Sequence, residues 1–180
     1  MFPNLIQNKN FSTNWLGQLE KIALNVPKCD VKELSYDTDN FQAINGLTPP
    51  GNLLPVQDSQ VLLDIVNDQG QRVLMTKGVR KAGTRIGIHV HSYGGYTIIL
   101  SGEMTDFVEG IPNKTYGPNS AYYMPPCTPM SAANLGTEDV ELIDVFIGPP
   151  GKAYIEILEP NWTFNRIGRF KGINEDDPTL

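Results

Sequence analysis

The chain contains only two histidines, His89 and His91, two residues apart in a segment that reads as a strand. Strand side chains alternate, so both imidazoles fall on one face, with Cα atoms about 7 Å apart. Rings so placed can grip one divalent ion, or form a polar pair on a sheet surface. The same alternation puts Arg85 and Gly87 on the histidine face. An inward arginine is costly unless it is paired. Arg85 therefore either reaches solvent at a strand end or binds an anion, and its fork of donors suits a substrate carboxylate. Glu103, Asp106 and Asp144 lie in or beside strand patterns. Tyr93, Tyr96, Tyr122 and Tyr123 offer phenols. Any of these could complete a metal site or move a proton. Both histidines share one strand, so no histidine remains for a serine-nucleophile triad with Ser101, Ser120 or Ser131. The glycine-rich pieces do not lead from a strand into a helix, which argues against a phosphate-binding loop.

The elements that must position these residues are short strands. Candidates are Val61–Val66, Arg72–Val79, Thr84–His91, Tyr96–Leu100, Met104–Val108, Ala121–Met124, Met130–Asn134 and Val140–Ile147. Turn signals such as Asp68-Gln69-Gly70, Gly94-Gly95, Ser101-Gly102 and Gly117-Pro118 separate them. Regular spacing of this kind predicts an antiparallel sandwich or barrel. Counting from Gly95, Thr97 and Ile99 face inward. Counting from Met130, Ala132 and Asn134 do. Gly87, Gly95 and Ala132 are small, which leaves room inside for a ligand. One helix is predicted, over residues 12–24, capped by Ser12 or Thr13. Trp15, Leu16, Leu19, Ile22 and Ala23 form its apolar face, and Pro27 ends it.

Composition narrows the classes of function. Seventeen glycines and 14 prolines in 180 residues point to many turns and few long helices. The net charge of −6, with no basic run, argues against nucleic-acid binding and against docking on anionic lipid. No apolar run approaches a membrane span, and Met1 to Asn10 lack the apolar core of a signal peptide. A cytoplasmic location is expected, with an exported mature form as the alternative. Cys29 and Cys127 match no zinc pattern and read as ordinary thiols, with one disulfide as the alternative.

The run Gly83, five residues, His89-Val90-His91, three residues, Gly95, six residues, Gly102 resembles the first motif of the cupin superfamily. Pro125-Pro126-Cys127-Thr128-Pro129-Met130-Ser131-Ala132-Ala133-Asn134 resembles its second motif. Asp144 to Pro150 is similar to a closing barrel strand. The resemblance spans about residues 60 to 150. It implies an all-β double-stranded β-helix, the jelly-roll cupin barrel, over residues 56–160. An N-terminal helical arm and linker (1–55) and a C-terminal extension (161–180) would flank it. It also implies a homodimer and a metal held by three histidines and a glutamate. Gly95 stands where the family has its glutamate, and Met130 where it has its third histidine. Only His89 and His91 remain as metal ligands, for Fe, Mn, Cu, Ni or Zn, or for no metal at all. Met130 as a thioether ligand would favour copper. As a hydrophobic filler it would simply occupy the vacated space.

Three readings follow. The first is a metal-dependent small-molecule enzyme of oxygenase or lyase type, as the resemblance implies. In it Arg85 and Tyr96 take part in catalysis, and Arg85, Thr97, Tyr122, Met130 and Asn134 line the substrate site. The second is a non-catalytic small-molecule-binding barrel that has lost its metal site. A structural dimer module with a filled barrel is a third.

Overall fold

The computed structural model describes residues 41–160 and 162, and these contain no α-helix. The expected helix over 12–24, Cys29 and the acidic tail lie outside the described residues. Twelve strands follow in order: β1 (Asn52–Leu53), β2 (Gln57–Val66), β3 (Arg72–Arg80), β4 (Thr84–Arg85), β5 (His89–Val90), β6 (Gly95–Ser101), β7 (Met104–Val108), β8 (Ile111–Tyr116), β9 (Ser120–Met124), β10 (Met130–Ala133), β11 (Val140–Gly148) and β12 (Glu156–Ile157). One sheet has the order β2-β3-β11-β6-β9. The other runs β1-β4-β10-β5-β12, with β7 and β8 added beside β10. From β3 onward the chain passes back and forth between the sheets. The two sheets share one interior, in a double-stranded β-helix.

Alternation builds that interior. In β3, Arg72, Leu74, Thr76, Gly78 and Arg80 are buried, with half-buried residues between them. Across the sheet the register aligns inner-face residues in rows. Thr76 stands opposite Asp144, Asp144 opposite Thr97, and Thr97 opposite Tyr122. Cross-strand neighbours share a face, so a polar row crosses four strands inside the barrel. The next row carries Leu74 and Phe146, then Gly95 and Met124. From the other sheet, Ile86, Met104, Val108, Met130 and Ala132 close on this face to form the apolar core. Phe41 and Ile44 cover that sheet's outer side over Ile88, Phe107 and Ala133.

The expected strand Thr84–His91 is broken between β4 and β5, and the break changes which way Arg85 points. Ile86 joins the interior core, Ile88 joins the outer cluster, and His89 faces inward again. Two inward positions three residues apart cannot belong to one regular strand. The irregular stretch coincides with Gly87, where a Cβ would come within 2.9 Å of Trp162 Cε3. Arg85 is thereby turned away from the histidines. Its Nη1 and Nη2 donate to Glu159 at 2.5 and 2.7 Å, with both side chains at least nine-tenths buried. Glu159 also accepts from the Ile88 amide at 2.9 Å. Arg85 thus neither reaches solvent nor presents its Nη atoms to the interior: a carboxylate of the chain itself holds them.

This clasp ties the segment after β12 to β4 and to Ile88, the residue just before the strand that holds His89. Removing one partner of a buried pair leaves an uncompensated charge. Glu159→Ala is expected to lower the unfolding free energy by about 3–5 kcal/mol in a urea titration. The double variant Arg85→Met/Glu159→Leu should recover most of that loss. A loss below about 1 kcal/mol for Glu159→Ala would mean that the pair behaves as a solvated surface bridge.

Candidate functional site

His89 and His91 are 3% and 1% exposed. Their Nε2 atoms face each other at 3.1 Å, with the rings edge to face. The other nitrogen of each ring is already committed. His89 Nδ1 lies 2.8 Å from the Gly87 carbonyl oxygen, and His91 Nδ1 lies 2.8 Å from that of Tyr154. A carbonyl only accepts, so each Nδ1 carries the hydrogen. Burial holds both rings neutral: it lowers His89 well below the usual histidine range, helped by the neighbouring His91, and takes His91 down to about 4. A neutral imidazole has one N–H. Both Nε2 atoms are therefore bare lone pairs aimed at each other.

Local structure explains this geometry. β5 holds the first histidine and β12 pairs with it, Ile157 opposite His89 and Glu156 opposite Val90. That pairing brings the Tyr154 carbonyl to His91. Phe146 and Tyr154 stack at 5.4 Å, and the His91 ring lies 5.4 Å from Phe146. The histidines thus stand against the Phe146 row of the β2-β3-β11-β6-β9 sheet, one row from Asp144 and Thr97.

Two facing lone pairs are a donor set for a cation. Nitrogens 3.1 Å apart can both reach one ion bonded at about 2.0–2.1 Å to each. Backbone carbonyls fixing Nδ1–H are the usual outer support of a metal-bound imidazole. The residues present therefore fit a divalent metal as a two-histidine site with open positions. Among the described residues, no group of three or more histidine, cysteine, aspartate or glutamate side chains completes it. The space that the motif reserves for a glutamate is filled. A Cβ on Gly95 would lie 2.7 Å from Met124 Cε, 2.9 Å from Phe146 Cδ1 and 2.9 Å from the Val145 carbonyl oxygen. Met130 stands opposite His89 in the ladder and belongs to the apolar core.

The interior holds more chemistry than the histidines. Thr97 Oγ1 donates to Asp144 Oδ1 at 2.6 Å. Burial pushes Asp144 up to about 6, against the pull of the Thr97 hydrogen bond and the charge of Arg80. Burial also raises the Tyr122 phenol, with Asp106 and Asp144 adding to it, so its hydroxyl stays a neutral donor. Asp106 stands opposite Ala132 on the inner face, and its Oδ1 has no hydrogen-bond partner. Burial pushes it up to about 7. Of the three carboxylates singled out in the sequence, Asp106 and Asp144 face inward, whereas Glu103 is exposed.

The other expected site residues divide between the two faces. Thr97 and Tyr122 lie together inside, 1% and 5% exposed. Tyr96 does not join them. It is 42% exposed on the outer face, its ring 5.2 Å from that of Tyr123. The same alternation that buries Gly95 and Thr97 places it outside the barrel. Asn134 is fully buried, but its amide is engaged: it donates to the Arg80 and Glu138 carbonyls and accepts from the Gly136 amide. It braces a turn. Sequence reasoning missed Arg80, which is 2% exposed. The signal was its place in the 72, 74, 76, 78, 80 alternation.

Asp106 gives the site a pH signature. Its folded pKa lies above the unfolded value of about 3.9. Its contribution to stability is complete below that value and is lost as pH rises through about 7. Asp106→Asn lacks this loss. The melting temperature of the variant is expected to gain on the wild type as pH rises from about 5 to about 8. A variant that loses ground over that range in scanning calorimetry would contradict an ionising, buried Asp106.

No protein-family model and no curated protein matches the chain. The chain is similar to several solved structures. A protein with a double-stranded β-helix domain from Klebsiella pneumoniae subsp. pneumoniae is 23% identical, with 62% of this chain and 90% of that one covered and a TM-score of 0.45. An RmlC-like cupin family protein from Methanocaldococcus jannaschii is 21% identical, covering 54% and 84%, with a TM-score of 0.45. A DMSP lyase from Ruegeria pomeroyi is 16% identical, covering 59% and 53%, with a TM-score of 0.47. No helix among the described residues is long and apolar enough to cross a membrane. The strand order of the two sheets makes this chain's fold a double-stranded β-helix.

Proposed function

We propose that the barrel binds one divalent transition-metal ion through His89 and His91 and acts as a metal-dependent enzyme on a small molecule held inside. The observation that carries this reading is the pair of bare Nε2 atoms 3.1 Å apart, each backed by a carbonyl on its far nitrogen. Neutral imidazoles suit Zn, Cu, Fe or Ni better than Mg or Ca. When bound, such an ion supplies Lewis acidity to an oxygen of the ligand.

The remaining roles belong to the chain's own side chains. Asp144, pushed up to about 6, changes protonation near neutrality and serves as the proton-handling group. Thr97 fixes its Oδ1 with the 2.6 Å hydrogen bond. Tyr122, opposite Thr97 in the ladder, keeps its proton and serves as a hydrogen-bond donor to ligand. Phe146, Met124 and Tyr154 screen the histidines from bulk water. Whether the chemistry is oxygenase-like or lyase-like depends on the ion and the ligand.

One observation favours a second reading, a binding barrel without metal chemistry. Met124 and Phe146 fill the space of the missing carboxylate with apolar surface. Elemental analysis separates the two. Untagged wild type, reconstituted with Fe, Mn, Cu, Ni or Zn, is expected to retain close to one ion per chain. His89→Ala/His91→Ala should retain none while still folding. Wild type that holds no ion under any of these conditions would reject the enzyme reading and leave the binder.

A further inference from the structure

Arg80 is a cation enclosed in the barrel. It lies on the inner face of β3, opposite Val140 and two residues from Gly78. Its Nη1 donates to the Leu54 carbonyl, whereas its Nε is buried and has no hydrogen-bond partner. Among the described residues, no carboxylate forms an ion pair with it. The four pairs found join Arg72 to Asp64, Lys77 to Glu141, Lys81 to Asp139 and Arg85 to Glu159. The contrast with Arg85 is direct. Both arginines are buried, yet one is held by two hydrogen bonds to Glu159 and the other by a single neutral oxygen.

A buried charge left in that state is expensive. Its field reaches the other polar groups of the interior: it pulls Asp144 down, lowers the Tyr122 phenol, and disfavours a proton on His89. Arg80, buried on the inner face of β3, therefore belongs to the same barrel interior as the histidines and the polar row. The rest of that interior is apolar, with Ile99, Met104, Met124 and Leu142 in the core and Phe146 packed against it.

We infer that Arg80 is the anion-binding group of this barrel, and that the molecule it holds is a small organic carboxylate with an apolar body. A carboxylate oxygen can accept from the idle Nε–H in the plane of the guanidinium. One negative charge balances one unpaired cation. A phosphate dianion would bring excess charge beside Asp144 and Asp106. The apolar walls accommodate the remainder of the ligand. This names the substrate class for the proposed function and rests on that reading of the interior as a small-molecule site.

The test compares acids with their uncharged isosteres on the full chain. Butyrate and benzoate are titrated against butyramide and benzamide by calorimetry, with inorganic phosphate as a further probe. Wild type is expected to bind at least one acid about tenfold or more tighter than its amide, a difference that a lost charge-assisted hydrogen bond produces. Arg80→Gln and Arg80→Lys should each lose that preference, the second because it keeps the charge but lacks Nε–H. Equal binding of acid and amide, binding of none of the probes, or tighter binding of phosphate than of either acid would overturn the inference. The wild-type comparison stands even if Arg80→Gln fails to fold. Metal content is measured on the same samples. Wild type that retains its ion but shows no acid preference sinks this inference alone. Acid preference without any retained ion sinks the metal reading and leaves the carboxylate site standing.

Discussion

The site depends on two imidazoles that cannot satisfy each other. Each uses its Nδ1–H on a backbone carbonyl, so each presents a bare Nε2, and the two face across 3.1 Å. In a buried place this is a repulsive arrangement unless a cation lies between the lone pairs. Much of the surrounding structure maintains it. Gly87 supplies one carbonyl and the kink that turns His89 inward. Tyr154 supplies the other, and only because β12 pairs with β5. The Arg85–Glu159 clasp holds that last segment in place. The residues nearest the site thus stabilise the fold in order to keep two lone pairs unsatisfied.

The same tension recurs across the interior. A barrel filled for stability alone would carry aliphatic side chains on every inner position. Here Thr76, Asp144, Thr97 and Tyr122 form a continuous row, and Arg80 and Asp106 each leave a polar atom without a partner. Where the barrel has instead been closed with apolar atoms, at Gly95, it has been closed tightly: Met124 and Phe146 leave no room even for a methyl group. The interior is therefore divided into a tightly packed region at the vacated ligand position and a polar row beside it.

Much of the barrel was legible in the sequence because alternation and turn residues carry it. Strands over residues 72–79, 104–108, 121–124 and 140–147 were expected and are present. β8 was not expected. Its Ile-Pro-Asn-Lys-Thr-Tyr sequence lacks alternation because it is an exposed edge strand, paired only with β7, where proline and lysine are tolerated. The inward pairing of His89 with His91 followed from spacing two. The position of Arg85 did not, because a single irregularity at Gly87 reverses the face. Its partner Glu159 lies 74 residues away, beyond any local pattern. Arg80 was hidden for a related reason. A charged residue at the end of a strand reads as a surface residue until the sheet's register shows which side is enclosed.

The facing lone pairs are open to direct observation. In long-range ¹H–¹⁵N correlation spectra of metal-free protein near pH 7, both rings should appear as the neutral Nδ1–H tautomer. Both unprotonated Nε2 resonances should then shift together on addition of one equivalent of Zn²⁺. A spectrum in which one ring carries its proton on Nε2 and donates it to the other, unchanged by metal, would contradict the account at its foundation.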